Sequence, residues 1–257
     1  MNAALAGRGA VVTGGGRGIG AAIARALAAA GARVVLAART KTEVEAVAAS
    51  IRDAGGEAWA VPCDVTTEAG VETLEAAATE RLGQVDILVN NAGAANSAPV
   101  ARTSLAEWNR LFAVNATSTF LCTRAFLSAM MERKQGRVVN IASMAGLEGG
   151  PYIAAYAAAK HAVMGFTRSA AAEAAPHGVT VNAVCPGYVD TDLTRESIAR
   201  IVARTGRTES EALASMLTST SQDRLIDPAE VARAVVRLCE ENVNGQEIVL
   251  EGKGVPA

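Results

Sequence analysis

The chain has 257 residues, of which 50% are hydrophobic, 4% aromatic and 19% charged, with a formal net charge of −2. So apolar and nearly neutral a composition excludes intrinsic disorder, and it excludes the basic surface that nucleic-acid phosphates require. There is no run of about 20 apolar residues, which predicts no membrane span, and the four cysteines (Cys63, Cys122, Cys185, Cys239) stand too far apart for a metal or disulfide pattern.

In chain order, short β-branched runs alternate with longer alanine-rich stretches. The predicted strands are residues 9–13, 33–37, 58–61, 87–90, 137–141, 180–185 and 247–250. The predicted helices are 18–30, 42–54, 68–82, 105–133, 154–175, 191–204, 209–216 and 228–240. Strands such as Arg-Val-Val-Leu-Ala-Ala read as continuous apolar runs, the signature of strands covered on both faces. Strict β–α alternation predicts a doubly wound, seven-stranded parallel sheet of Rossmann type in a single domain spanning 1–257. Residues 188–226 break the rhythm with weak helices and many Ser and Thr. They are expected to form a substrate-binding lid, since long insertions at the carboxyl ends of such strands usually carry function. The N-terminus lacks the charged, apolar and cleavage-site order of a signal peptide, so a cytoplasmic location is expected.

The first strand runs into Gly14-Gly15-Gly16-Arg17-Gly18-Ile19-Gly20 and then a helix. Glycine admits backbone conformations that other residues avoid and lets a phosphate approach the main chain, while a helix N-terminus attracts anions. Strand, glycine turn and helix together predict a dinucleotide site with Gly14, Gly16, Gly18, Ile19 and Gly20 at the pyrophosphate, although the spacing is not GxGxxG. An NAD site places a carboxylate at the end of the second strand. Here that end reads Leu36-Ala37-Ala38-Arg39-Thr40, and the nearest acid is Glu43. Arg17 and Arg39 suit a 2′-phosphate through forked, charged hydrogen bonds, which favours NADP(H) and leaves NAD(H) open.

Further motifs follow in order: Asp64 after the third strand, Asn90-Asn91-Ala92-Gly93 after the fourth, and Asn115 on the next helix. Ser143 follows the fifth strand, Tyr156-Ala157-Ala158-Ala159-Lys160 lies on a helix, and Pro186-Gly187 closes the sixth strand. This series resembles the short-chain dehydrogenase/reductase family, in particular its 3-oxoacyl thioester reductases and polyketide ketoreductases. The resemblance implies hydride transfer between a nicotinamide cofactor and a ketone or secondary alcohol. It also implies that Ser143 polarises the carbonyl, Tyr156 exchanges the proton, Lys160 lowers the tyrosine pKa and holds the nicotinamide ribose, and Asn115 positions a relay water. Asp64 and Val65 are implied at the adenine, and Asn91, Ala92 and Gly93 along the cofactor. Pro186, Gly187, Val189 and Thr191 are implied at the nicotinamide. Tyr156 and Lys160 sit four apart, so they share one helix face whatever their role. The chain has only four lysines among its 24 basic residues, so a lysine at 160 runs against its habit.

Two other readings remain open. One is an NAD-dependent secondary-alcohol or 3-hydroxyacyl dehydrogenase; the other is a non-catalytic dinucleotide-binding regulator. Ala94, Ala95, Ala145 and Leu147 suggest an apolar ketone, and Arg195, Arg200, Arg204, Arg207 and Arg224 suit either a thioester's phosphate or a solvated charged face. The helix 154–175 is apolar nearly all round, Ala171 included, which predicts burial of its far side against another copy of the chain. With the preceding helix it predicts a homo-oligomer, a tetramer first and a dimer second.

Overall fold

The computed structural model describes residues 4–254. The strands are β1 (Gly9–Thr13), β2 (Arg33–Ala38), β3 (Glu57–Pro62), β4 (Ile87–Asn90), β5 (Gly136–Ile141), β6 (Val179–Pro186) and β7 (Glu247–Leu250). The helices are α1 (Gly18–Ala29), α2 (Lys41–Asp53), α3 (Glu68–Leu82), α4 (Leu105–Phe112), α5 (Ser118–Glu132), α6 (Ala154–Ala174), α7 (Asp192–Thr205), α8 (Glu209–Ser219) and α9 (Pro228–Glu240). All strand pairs are parallel, in the order β3-β2-β1-β4-β5-β6-β7. The doubly wound seven-stranded sheet is therefore as the sequence predicts.

Strand alternation sorts the core into two layers, because successive side chains point to opposite faces. On β1, Val12 packs into one layer with Ile23 and Leu27 of α1, Val47 and Ile51 of α2, and Val231 and Val235 of α9. Its neighbour Val11 packs into the other with Leu74 of α3, Leu121 and Phe126 of α5, and Ala170 and Ala174 of α6. Covering helices on both faces explain why β1, β4 and β6 are buried along their whole length, without alternation.

Two expectations need correction. The stretch 105–133 is not one helix: α4 and α5 are joined by a π-helical turn over Ala113–Thr117. The Asn115 amide causes it, donating to both Leu111 O and Ala94 O at 2.9 Å and so drawing the helix out of its ordinary register. The second correction concerns α6. Ala171 is buried in the core against the α5 layer and does not face outward; the exposed face carries His161, Gly165, Arg168 and Ala172 instead.

The segment 188–226 forms α7 and α8, separated by Gly206 at φ +70° and restarted by a capping box between Thr208 and Glu211. A parallel bridge between Val189 and Ile226 closes its base. Among the described residues no helix is long and apolar enough to cross a membrane.

Candidate active site

In a doubly wound sheet the loops diverge where the strand order reverses, opening a cleft at the carboxyl ends. Here β1 and β4 are the neighbours at that point, and the glycine turn and the Asn91–Gly93 loop leave them in opposite directions. Gly14 and Gly18 take φ values of +64° and +52°, which favour glycine. A Cβ on Gly20 would run into the Gly14 carbonyl and the Asn91 amide. Asn91 Nδ2 donates to Thr13 O at 3.0 Å and Gly14 O at 3.1 Å, holding the turn from the β4 side. Thr13 Oγ1 accepts from the main-chain N–H of Asn91 and of Ala92, each at 3.0 Å. Helix α1 begins at Arg17 with no side-chain cap and no acid in its first turn. Its N–H groups thus stay free for an anion, and the turn fits a pyrophosphate.

Arg39, just past β2, is exposed. Arg17 Nη1 instead leans on the segment 188–226, 3.5 Å from Glu196 Oε1 and 3.9 Å from Asp192 Oδ2. Glu43, on the first turn of α2, lies beside the turn; its Oε2 is 3.4 Å from where a Gly16 Cβ would be. Asp64 closes its own loop, with Oδ1 accepting from Thr66 N–H at 3.0 Å and Thr66 Oγ1 at 2.8 Å. Val65 beside it is buried.

Deeper in the cleft, a chain of buried amides fixes the spacing of strands and helices. Asn90 Nδ2 donates to Thr123 Oγ1 of α5 and Asn140 Oδ1 of β5, and Asn140 Nδ2 donates to Thr167 Oγ1 of α6. That chain ties α6 to the end of β5, where Ser143 caps a short 3-10 turn by accepting from Ala145 N–H at 3.1 Å. The Ser143 hydroxyl stands near the Tyr156 phenol and favours its ionised form. Burial pushes the Tyr156 phenol above its ordinary value, against the pull of Ser143, and the nearby Tyr188 phenol adds to the rise. This is opposite to the lowering expected from a lysine neighbour, because desolvation is the largest influence on the buried phenol. Lys160 Nζ stands 6.0 Å from the Tyr156 ring centroid and donates to Ile141 O at 2.8 Å. Burial lowers Lys160 to about 8. Both Lys160 Nζ and Asn115 Oδ1 approach Gly93, at 3.6 and 2.9 Å from where its Cβ would be. The four residues Ser143, Tyr156, Lys160 and Asn115 are thus gathered around the inner end of the cleft.

Above them, loop 94–98 is pinned from several sides. Asn96 Nδ2 donates to Glu107 Oε1 at 2.7 Å, and the Arg110 guanidinium holds Glu107 down to about 2. Ala98 N–H donates to Tyr152 O, and Arg204 of α7 donates to Ser97 O. The other arginines of segment 188–226 also find internal partners: Arg195 with Asp190, Arg200 with Ser197, Arg207 with Ser215 and Arg224 with Glu230. On the opposite wall Pro186 ends β6 and Gly187, Val189 and Thr191 follow it, and Thr191 meets the glycine turn 3.3 Å from where a Gly18 Cβ would be.

Sequence reasoning missed Thr13, Tyr188 and Gln222. Thr13 reads as an ordinary strand-end threonine, and Gln222 lies in a polar run that reads as loop. Glu43 was visible, but its approach to Gly16 depends on how α2 packs.

This cleft has the construction of an oxidoreductase that binds a nicotinamide dinucleotide. Comparison with known proteins makes the class specific: the short chain dehydrogenase profile matches residues 8–201. The chain belongs to the short-chain dehydrogenase/reductase family, and it interconverts carbonyl and CH–OH groups with a nicotinamide dinucleotide. It is 45% identical to a 3-oxoacyl-[acyl-carrier-protein] reductase of Synechocystis sp. over 192 residues, covering 74% of this chain and 78% of the relative. It is 37% identical over 251 residues to the 3-oxoacyl-[acyl-carrier-protein] reductase FabG of Vibrio cholerae, covering 96% and 97%. A crystal structure of a variant actinorhodin polyketide ketoreductase with NADPH superposes with a TM-score of 0.91 at 36% identity, covering 98% of each chain.

Proposed function

We propose that the chain is an NADP(H)-dependent reductase of an apolar ketone, a 3-oxoacyl thioester or a related polyketide carbonyl, with Tyr156 as general acid and base. The observation that carries this reading is the gathering of Ser143, Tyr156, Lys160 and Asn115 at the inner end of the cleft, beside the Asn91–Gly93 loop. When bound, the dinucleotide supplies the hydride. Ser143 holds and polarises the substrate oxygen. Tyr156 gives its phenolic proton to the oxygen as negative charge develops there; its raised pKa keeps that proton in place at neutral pH. Lys160, charged below about 8, offers a cation near the phenolate left behind. Asn115 and Lys160, both facing Gly93, bracket the place where a relay water re-supplies the proton. In the oxidation direction each proton step runs backwards. Arg17 and Arg39 support the NADP(H) preference, and the absence of an acid at 38–40 supports it too.

One observation favours the NAD(H) reading: the Glu43 carboxylate lies beside Gly16, and Arg17 is engaged by Asp192 and Glu196. We also infer a single catalytic domain with residues 188–226 as its substrate lid, working in the cytoplasm as a homotetramer. The assembly reading is supported by Phe120 of α5, 44% exposed and set edge-on against Phe166 of α6. These rings widen an apolar face shared by the two helices.

The direct test follows consumption of NADPH and of NADH with an activated ketone and a 3-oxoacyl thioester. Tyr156→Phe should fold and bind cofactor normally while turnover falls by at least about 10²-fold. Activity of that variant within a few-fold of the parent chain refutes Tyr156 as the general acid and base; a parent chain that binds dinucleotide but turns over neither substrate restores the regulator reading.

A further inference from the structure

Residues 219–224 read Ser-Thr-Ser-Gln-Asp-Arg, a run polar enough to suggest a solvated loop. Yet Gln222 is only 6% exposed. Ser221 before it takes a left-handed φ of +54°, a conformation unfavourable for a residue with a side chain. That turn aims the Gln222 amide inward. Its Oε1 accepts from Tyr188 N–H and from Thr220 Oγ1, each at 2.7 Å. Its Nε2 donates to Tyr188 O and to Arg224 O, each at 3.2 Å. A primary amide offers one acceptor and donors as a peptide group does. Gln222 thus pairs with both main-chain groups of Tyr188 like one residue of an added strand, just where β6 ends.

The surroundings leave this amide no other position. A Cβ on Gly187 would run into it from one side, and a Cβ on Gly252 would lie 2.7 Å from its Nε2 on the other. The same junction carries Gly187 N–H to Leu250 O, Ile226 N–H to Tyr188 O, and Arg224 N–H to Gly252 O. So β6, β7 and the end of segment 188–226 meet at one buried side chain. Tyr188 in turn stands close enough to Tyr156 for the two phenols to interact.

We propose that Gln222 is a positioning residue for the nicotinamide side of the cleft, holding the loop from Gly187 to Thr191, and Tyr188 within it, through the Tyr188 main chain. The inference rests on the reading above that this loop meets the nicotinamide. It assigns to Gln222 the separation between that loop and Tyr156, which neither the glycine turn nor the helix α6 can fix by itself.

The experiment compares two ligands on the full chain: NADPH, and 2′-phospho-ADP-ribose, which keeps every part of the cofactor except the nicotinamide ring. Gln222→Met keeps the length of the side chain and removes all four hydrogen bonds. Its Kd for NADPH should rise, and its kcat fall, by at least about 10-fold, since small displacements at a reacting centre are costly. Its Kd for 2′-phospho-ADP-ribose should stay within about 3-fold, because that ligand lacks the nicotinamide ring whose seat the loop is proposed to form. Thr220→Val removes only the hydroxyl that anchors Oε1, and should shift the same two quantities in the same direction by about 3-fold. In a Gln222→Met background Thr220→Val should add nothing further, because its action passes through the amide. Thr220→Val also carries the test if Gln222→Met does not fold. Equal weakening of both ligands, or no change in either, overturns the role of Gln222. A parent chain that binds no dinucleotide overturns instead the functional reading beneath it.

Discussion

Thr13 is a buried strand residue whose hydroxyl works for the loop on the neighbouring strand. Thr13→Val keeps its shape and β-branching but removes the acceptor for Asn91 N–H and Ala92 N–H, both at 3.0 Å. A fully buried donor left without a partner costs roughly 1–3 kcal/mol. Asn91 and Ala92 are half-buried, so water recovers part of that for each, and the loss should total about 2–3 kcal/mol. For a chain of this size each kcal/mol moves the melting temperature by about 2–4 °C, giving a fall of roughly 4–12 °C. Thr13→Ser keeps the hydroxyl and should lose less than half as much. Freed from Thr13, the Asn91–Gly93 loop should also grip the dinucleotide less firmly. Circular dichroism melts of both variants, with and without NADPH, separate the effects. A Thr13→Val chain that melts within about 1 °C of the parent refutes the idea that this hydroxyl holds the switch point.

The remaining expectations concern charge and assembly. Lys160 has its pKa lowered to about 8, so it loses its cation as pH rises through that value; kcat/KM for reduction should fall above pH 8, and a profile flat to pH 10 would refute it. Ala38→Asp places a carboxylate beside Arg39 at the end of β2, and should move cofactor preference toward NADH by about 1–3 kcal/mol, read as the ratio of kcat/KM values. No change in that ratio removes this corner from the 2′-phosphate site. Gly165 faces outward on α6, and a Cβ there meets nothing within 4 Å. Gly165→Arg should therefore leave the monomer's core intact while light scattering reports dissociation; an unchanged mass separates α6 from the interface.

The sequence by itself determined the layer order, because apolar periodicity reports which faces are covered. Continuous runs such as Val34-Val35-Leu36-Ala37 require cover on both sides, and both core layers are there. It also marked candidate site residues next to their own strand ends: Gly14, Asn91 and Ser143 come just after β1, β4 and β5, and Pro186 ends β6, so strand position alone brings them to the carboxyl edge of the sheet. What the tertiary structure alone decided was everything set by a partner far along the chain. Asn115 bends the helix 105–133 into a π turn because Ala94, 21 residues earlier, offers its carbonyl. Ala171 faces the core because of how α6 lies against α5, a rotation that its nearly uniform alanine pattern leaves unspecified. Thr13 and Gln222 act on residues 78 and 34 positions away, so no local pattern marks them. The physical reason is the same in each case. Hydrophobic periodicity is a local property that survives in the sequence, whereas a buried hydrogen bond is specific to one partner and becomes visible only when folding brings that partner within about 3 Å.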